Sequence, residues 1–518
     1  MSNYKPDPNK KVNLTIDGLP VTVPEGTTIL EAARKVNIKI PTLCYRPDLR
    51  KRAVCRLCVV ECDGRSKLVP ACANEVWEGV KVVTNNLRIL KIRKTIVELL
   101  LANHPQDCLN CVRNRKCELQ TLSAVFGIFS PSLDHLPLET MSPKTEGGTL
   151  VRNMSKCIKC GRCTEVCQEV QTVRAINSSH RSCHYEISTP FGHALGDGQC
   201  SFCTQCAVVC PVGAIYGHDQ TAELRSALNN NEQHVAAQIV PSVFAAIDRE
   251  LGLEGGTITS GKMVTALKRL GFDRVFDAGF FADLTIKEES KDILDRIKKS
   301  SRIPMVASCL PGWNNFVKTF YPDLVNHLPG SKSPEQNFNS FIKTAGNSGL
   351  DQSKITSVSV VPCFAKKFEV RQGDMSGREL NTIDIALTAT ELARMIKLAG
   401  IEIAALPESP YDCLTDKPCT GESDTKNSGN VCDTILQRVY KAYTGEFKTP
   451  FHFKETDCQG IQETTLEVEG KAVKILSANG LANARKVMDS IRKGECDAAF
   501  VEIISCPLGT CTGNVQIP

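Results

Sequence analysis

Two stretches of the chain repeat one cysteine pattern. Cys157, Cys160, Cys163 and Cys167, then Cys200, Cys203, Cys206 and Cys210, are both spaced C-x2-C-x2-C-x3-C, and Pro211 closes the second run. Any fold available to this sequence has to bring those thiols to shared centres. The chain holds 26 cysteines in 518 residues, yet a chain of this size builds its own cores and does not need disulfide staples. The spacing therefore reads as thiolate metal ligation in a reducing, anaerobic and hence cytoplasmic compartment. Zinc ribbons or disulfides explain neither the repeated third cysteine nor the trailing proline.

The repeated run is the pattern of two-cluster ferredoxins, in which the fourth cysteine of each run ligates the other cluster. One [4Fe–4S] cluster is thus expected on Cys157, Cys160, Cys163 and Cys210, and a second on Cys200, Cys203, Cys206 and Cys167. Two further sets lie upstream. Cys44, Cys55, Cys58 and Cys72 fit zinc on spacing alone, but in a small domain upstream of two clusters they read as a [2Fe–2S] site. His104, Cys108, Cys111 and Cys117 again fit zinc, and between two iron–sulfur domains read as a third [4Fe–4S] site whose neutral imidazole raises its potential. Cys62 reads as a bystander. Cys183, Cys413, Cys419, Cys432, Cys458 and Cys496 show no ligand spacing and read as small buried hydrophobes.

Chain length predicts several domains of roughly 100–200 residues each. Residues 12–22 alternate apolar and polar positions about Asp17-Gly18, a hairpin signal. Thr28 and Glu31 then offer a capping box for a helix. Another helix is expected over residues 88–103. From about residue 221 expected strands (274–280, 303–308, 357–363, 497–504) alternate with amphipathic helices, as in an α/β domain. Residues 413–431 read as an exposed loop. The expected domains are 1–80, 81–147, 148–220 and 221–518. A net charge of +5 argues neither for nor against nucleic acid. The start of the chain lacks a signal-peptide pattern, and no apolar run approaches the roughly 20 residues of a membrane span.

The order of these front units resembles both the large iron–sulfur subunit of respiratory NADH dehydrogenase and the front half of long [FeFe]-hydrogenases. Three stretches choose between them: PMVASCLPGW (304–313), VPCFAKKFEV (361–370) and VEIISCPLGTC (501–511) resemble the three hydrogenase signatures. The resemblance implies a multidomain α+β and α/β protein. Its parts would be a ferredoxin-like [2Fe–2S] β-grasp domain, a small domain with one histidine and three cysteine ligands, a two-[4Fe–4S] ferredoxin domain and an α/β hydrogenase-like C-terminal domain. In that family four cysteines hold a cubane bridged to a di-iron unit that makes and splits H2. Cys309 matches the proton-passing cysteine; Cys363, Cys506 and Cys511 match cubane ligands; Lys366 matches the lysine that donates to the di-iron unit; Glu289 and Asp292 match the proton route.

The departures from the family are specific. Leu310 stands where a ligand cysteine belongs, and four residues rather than three separate Cys506 from Cys511. Val361 and Ile504 replace methionines, and Pro329 stands at the expected relay serine. The chain ends seven residues after Cys511, which by the resemblance leaves the site open. The resulting expectation is an electron-relaying iron–sulfur oxidoreductase subunit without normal H2 chemistry, in which Cys309, Cys363, Cys506 and Cys511 either hold a fourth [4Fe–4S] in place of the di-iron assembly or keep only the fold. Its partners would be NADH-oxidising flavin and iron–sulfur subunits in a hetero-oligomer, or a soluble ferredoxin. The alternatives are an active divergent hydrogenase and a redox or gas sensor.

Overall fold

The computed structural model describes residues 7, 9–130, 132–133, 142–299, 303–308, 311–344, 354–369, 383–412, 431–444, 451–468 and 471–504. Pro329 and Cys363 are described, whereas Cys309, Leu310, Cys506, Cys511 and residues 413–430 lie outside the described residues.

Strands Lys11–Ile16 and Leu19–Pro24 form the expected antiparallel hairpin. Asp17 and Gly18 both take positive φ (48° and 83°), as a two-residue turn matched to strand twist requires. Helix Ile29–Lys35 starts on the reciprocal Thr28–Glu31 capping box. Strand Lys81–Val83 then returns parallel to Lys11–Ile16. With strands Val59–Cys62 and Val69–Pro70 they make a five-stranded sheet whose apolar face, including Val12, Leu14 and Ile16, packs on Ile29, Leu30 and Ala33. Helix Leu87–Ala102 is anchored to this unit by the buried Arg93, which donates to the Leu57 and Val59 carbonyls at 3.1 and 2.8 Å.

The two cysteine runs lie within a unit closed by a three-stranded sheet. Strand Leu150–Arg152 pairs antiparallel with Lys144–Glu146 and with Ile215–Gly217. The C-terminal part holds two sheets. Arg274–Asp277, His234–Ile239, Ile355–Val361 and Ile385–Thr388 form one that is parallel throughout. Ile355–Val361 is buried at every position, the mark of a strand covered on both faces. In the other sheet Met305–Ala307 and Lys471–Asn479 flank Phe500–Ile504 in parallel, and Ile461–Val468 and Lys454–Glu455 continue it antiparallel. The expected strand over 274–280 ends at Asp277, where helix Ala278–Lys299 begins.

Strand ends position the signatures. Met305–Ala307, Ile355–Val361 and Phe500–Ile504 stop two residues before Cys309, Cys363 and Cys506 respectively. Cys363, the described one of the three, lies just past the carboxyl end of a parallel strand, the place where α/β folds put their ligands.

Candidate redox centres and C-terminal site

The first thiol set converges. Thiol hydrogen bonding links Cys44 to Cys55 and Cys72, and Cys72 also to Cys58. Cys62 has no thiol partner; burial pushes its thiol up. In the second set His104 is buried, and burial and then Lys156 pull its imidazole down to about 4, against an opposing effect of Asp107. It is therefore neutral at pH 7, with a lone pair to offer. Cys117 lies within electrostatic reach of Cys111 and Cys108.

In the structure the fourth cysteine of each repeated run lies with the first three of the other. Cys157, Cys160, Cys163 and Cys210 line one partly open cavity, with Ile187 and Ile215 among its apolar walls. Cys167, Cys200, Cys203 and Cys206 form the other group, with Cys206 influenced by the other three. The local backbone explains how so few residues can aim so many sulfurs. Lys159 and Phe202, equivalent positions in the two runs, both take positive φ, and each amide donates at 3.4 Å to the sulfur two residues earlier, Cys157 and Cys200.

Burial pushes the Cys157 thiol up to about 11 and Cys160 to about 12. Thiols held so far above neutral pH stay protonated unless bound iron supplies the compensating charge. Orphaned buried polar atoms gather at the same places: His104 Nδ1, Arg152 Nε, Arg162 Nε and Ser201 Oγ find no hydrogen-bond partner. Among the described residues no three His, Cys, Asp or Glu side chains form a site for a single metal ion. Cys157, Cys160, Cys163 and Cys210 surround a space, which suits a polynuclear cluster better than a single zinc ion.

The thiol groups abut one another. Arg52 donates to Thr164 Oγ1 at 2.7 Å and pairs with Glu165, joining the first thiol domain to the first run. The second set meets the same run at Gly213, where a Cβ would sit 2.7 Å from Cys111 Sγ. The Cys200–Cys203 loop in turn meets the C-terminal signatures. Helix Pro311–Phe320 approaches so closely that a Cβ on Gly312 would lie 3.1 Å from the Ser201 carbonyl oxygen and 3.2 Å from Cys203 Cα. Asn315 Nδ2 donates to the Cys200 carbonyl at 2.7 Å. Phe202 stacks on Phe368 of helix Phe364–Glu369, ring centroids 4.1 Å apart. Neither contact was legible in the spacing of the cysteines.

In the C-terminal site Cys363 is partly buried. Buried Lys366 pairs with buried Glu335, Nζ to Oε2 3.2 Å. Its neighbour Lys367 is fully buried, donating to both Glu391 oxygens (2.8 and 2.7 Å) and to the His218 carbonyl (2.8 Å). Burial pushes the Glu289 carboxyl up to about 7; the Ser331 hydrogen bond opposes this, and Asp292 and Glu288 add to it. Ser331 Oγ donates to Glu289 Oε1 at 3.1 Å. Pro329 has no hydroxyl to offer there, and the hydroxyl that reaches Glu289 is carried two residues later. Asp292 is forked to Arg296, at 2.9 Å to each oxygen. Val361 is buried and Ile504 partly buried at their strand ends. Of the leftover cysteines, Cys458 is exposed and Cys496 partly buried, so the expectation of burial fails for Cys458.

A string of thiol-lined centres leading into an α/β domain defines an iron–sulfur oxidoreductase. Residues 233–514 match the family described as iron only hydrogenase large subunit, C-terminal domain, and the chain belongs to that family. The front matches a 2Fe-2S iron-sulfur cluster binding domain (9–87), the NADH-ubiquinone oxidoreductase-G iron-sulfur binding region (93–131) and the NADH-quinone oxidoreductase subunit 3 ferredoxin-like domain (147–216). The chain is 38% identical over 519 residues to the NADP-reducing hydrogenase subunit HndD of Solidesulfovibrio fructosivorans, covering 98% of this chain and 88% of that protein. It is 32% identical over 517 residues to iron hydrogenase 1 of Clostridium pasteurianum, covering 97% and 88%. A solved structure of [FeFe]-hydrogenase HydA1 from Chlamydomonas reinhardtii superposes with a TM-score of 0.51 at 28% identity, over 57% of this chain and 84% of that one. Among the described residues no helix is long and apolar enough to cross a membrane.

Proposed function

We propose that the chain relays single electrons between an NADH-oxidising flavin and iron–sulfur partner, or a soluble ferredoxin, and a modified C-terminal site that does not carry out normal H2 chemistry. Cys44, Cys55, Cys58 and Cys72 would hold a [2Fe–2S] cluster. His104 with Cys108, Cys111 and Cys117, and the two crossed sets of the repeated runs, would each hold a [4Fe–4S] cluster. Bound clusters supply one-electron carriers whose potentials follow ligand type, hydrogen bonding and burial. The protein's own part is to hold the thiols, exclude water and keep the sets in contact.

The observation that carries the relay is the seating of Gly312 and Asn315 on the Cys200–Cys203 loop, which brings the last thiol set against the first signature. Leu310 carries no donor for iron, so the residues left for the C-terminal site are Cys309, Cys363, Cys506 and Cys511, a set for a simple fourth [4Fe–4S]. The NADH-dehydrogenase-like front and the likeness to an NADP-reducing hydrogenase subunit support a nicotinamide-linked partner in a hetero-oligomer, for which we propose a cytoplasmic place. The domains this reading assigns are 1–80, 81–147, 148–220 and 221–518.

A second reading, a working divergent hydrogenase, is favoured by Glu289 with its Ser331 bond and by buried Lys366. A carboxyl near pH 7 is suited to passing protons. Infrared spectroscopy of the protein produced with the di-iron maturation machinery separates the two. The relay predicts no CO or CN stretching bands, with iron matching the front clusters or one cluster more. Such bands, accompanied by H2 evolution, would overturn it in favour of the hydrogenase.

A further inference from the structure

Three thiol sets come together at one buried cation. Arg162 lies between Cys160 and Cys163 and is 4% exposed. Its Nη2 donates to Glu118 Oε2 at 2.8 Å and reaches the Tyr45 carbonyl at 3.4 Å, while Nη1 donates to Glu118 Oε1. Tyr45 adjoins Cys44 of the first set, and Glu118 adjoins Cys117 of the second. Glu118 also donates its amide to the carbonyl of Pro211, next to Cys210, at 3.0 Å. Arg162 Nε remains a buried donor without a partner.

We propose that Arg162 is a shared positioning residue that raises the reduction potentials of three iron–sulfur centres together, with Glu118 as its counter-charge. The centres are those of Cys44/Cys55/Cys58/Cys72, His104/Cys108/Cys111/Cys117 and Cys157/Cys160/Cys163/Cys210, so the inference rests on the reading that these sets hold clusters. Reduction adds one electron, and therefore one negative charge, to a centre. A nearby buried cation stabilises that charge, and little salt penetrates to screen it. Arginine suits the role because its charge is permanent and its planar fork can hold a carboxylate and a carbonyl at once. The internal repeat provides the contrast. In the second run the equivalent position, two residues after the second cysteine, is the uncharged Gln205.

The test is a dithionite titration of the full chain followed by electron paramagnetic resonance, after iron and acid-labile sulfide have been measured. Arg162→Met is expected to lower the potentials of all three centres, Glu118→Gln to raise the same three, and Arg162→Lys to lie between wild type and Arg162→Met. The Cys200/Cys203/Cys206/Cys167 centre is expected to shift least. A merely structural role would not produce shifts of opposite sign from the two ends of one ion pair. Shifts of the same sign, shifts confined to one centre, or an equal shift in the Gln205 centre would overturn the proposal. If Arg162→Met fails to assemble, Glu118→Gln and Arg162→Lys decide. Wild-type protein lacking iron and sulfide would overturn the cluster reading and the proposal with it, whereas normal content with unmoved potentials would overturn the proposal alone.

Discussion

The adjacent lysines of the second signature have different work, and exchanging each for methionine measures it. Lys367 is fully buried against Glu391, which also caps helix Ala389–Leu398 through the Thr388 amide, and it bonds to the His218 carbonyl beyond strand Ile215–Gly217. At 2.7 Å and an effective dielectric of about 20, the gross attraction between such charges is about 6 kcal/mol. Removing one partner of a buried pair costs roughly 3–5 kcal/mol, because it strands the other charge without its counter-ion; this is less than the gross attraction because the lysine's own desolvation penalty disappears with it. Lys367→Met is therefore expected to lower the Tm of the C-terminal domain by roughly 6–20 °C, taking about 2–4 °C per kcal/mol for a domain of this size. Lys366→Met breaks a longer contact, 3.2 Å to Glu335, and should cost less stability. Circular dichroism and iron–sulfur absorbance, followed together on heating, report both. The double variant Lys367→Met/Glu391→Gln should regain part of the loss, since it leaves no buried carboxylate without its cation. Equal losses for the two lysines, or no recovery in the double variant, would refute the assignment.

Cys210→Ser is expected to abolish the paramagnetic signal of the Cys157/Cys160/Cys163 centre and to spare the other, with Cys167→Ser doing the reverse; iron content and electron paramagnetic resonance check both, and a run-by-run grouping would invert the result. For Glu289, burial raises the folded-state value to about 7 from an ordinary 4.5. Its stabilising proton is fully in place below the ordinary value and is lost as pH rises through about 7, so wild-type stability falls across that window. Glu289→Gln should flatten the fall when denaturation midpoints at pH 5 and pH 8 are compared, and an unchanged slope would contradict the raised carboxyl.

Local order made much of the architecture readable. Asp17-Gly18 announces its hairpin because few residues tolerate two positive φ values, and Thr28 with Glu31 announces a helix start because capping spans only three residues. The expectation of crossed thiol sets rests on the same kind of local signal, since the repeated spacing carries a geometric rule within itself. Leu310, too, needs no coordinates, since the loss of a sulfur donor is a matter of composition.

Contacts between distant segments were decided by tertiary structure. Spacing could not reveal that Ser331, rather than a residue at 329, supplies the hydroxyl to Glu289, because a loop's backbone path sets which side chain reaches a helix. Nor could it divide the work of Lys366 and Lys367, whose partners Glu335 and Glu391 come from different helices. Arg162 is the clearest case. In the sequence it is one arginine between two cysteines; only folding brings it to Tyr45, 117 residues away, and Glu118, 44 away. Pattern governs what a residue can do with its near neighbours, while the field a buried charge exerts depends on whichever remote groups packing leaves beside it.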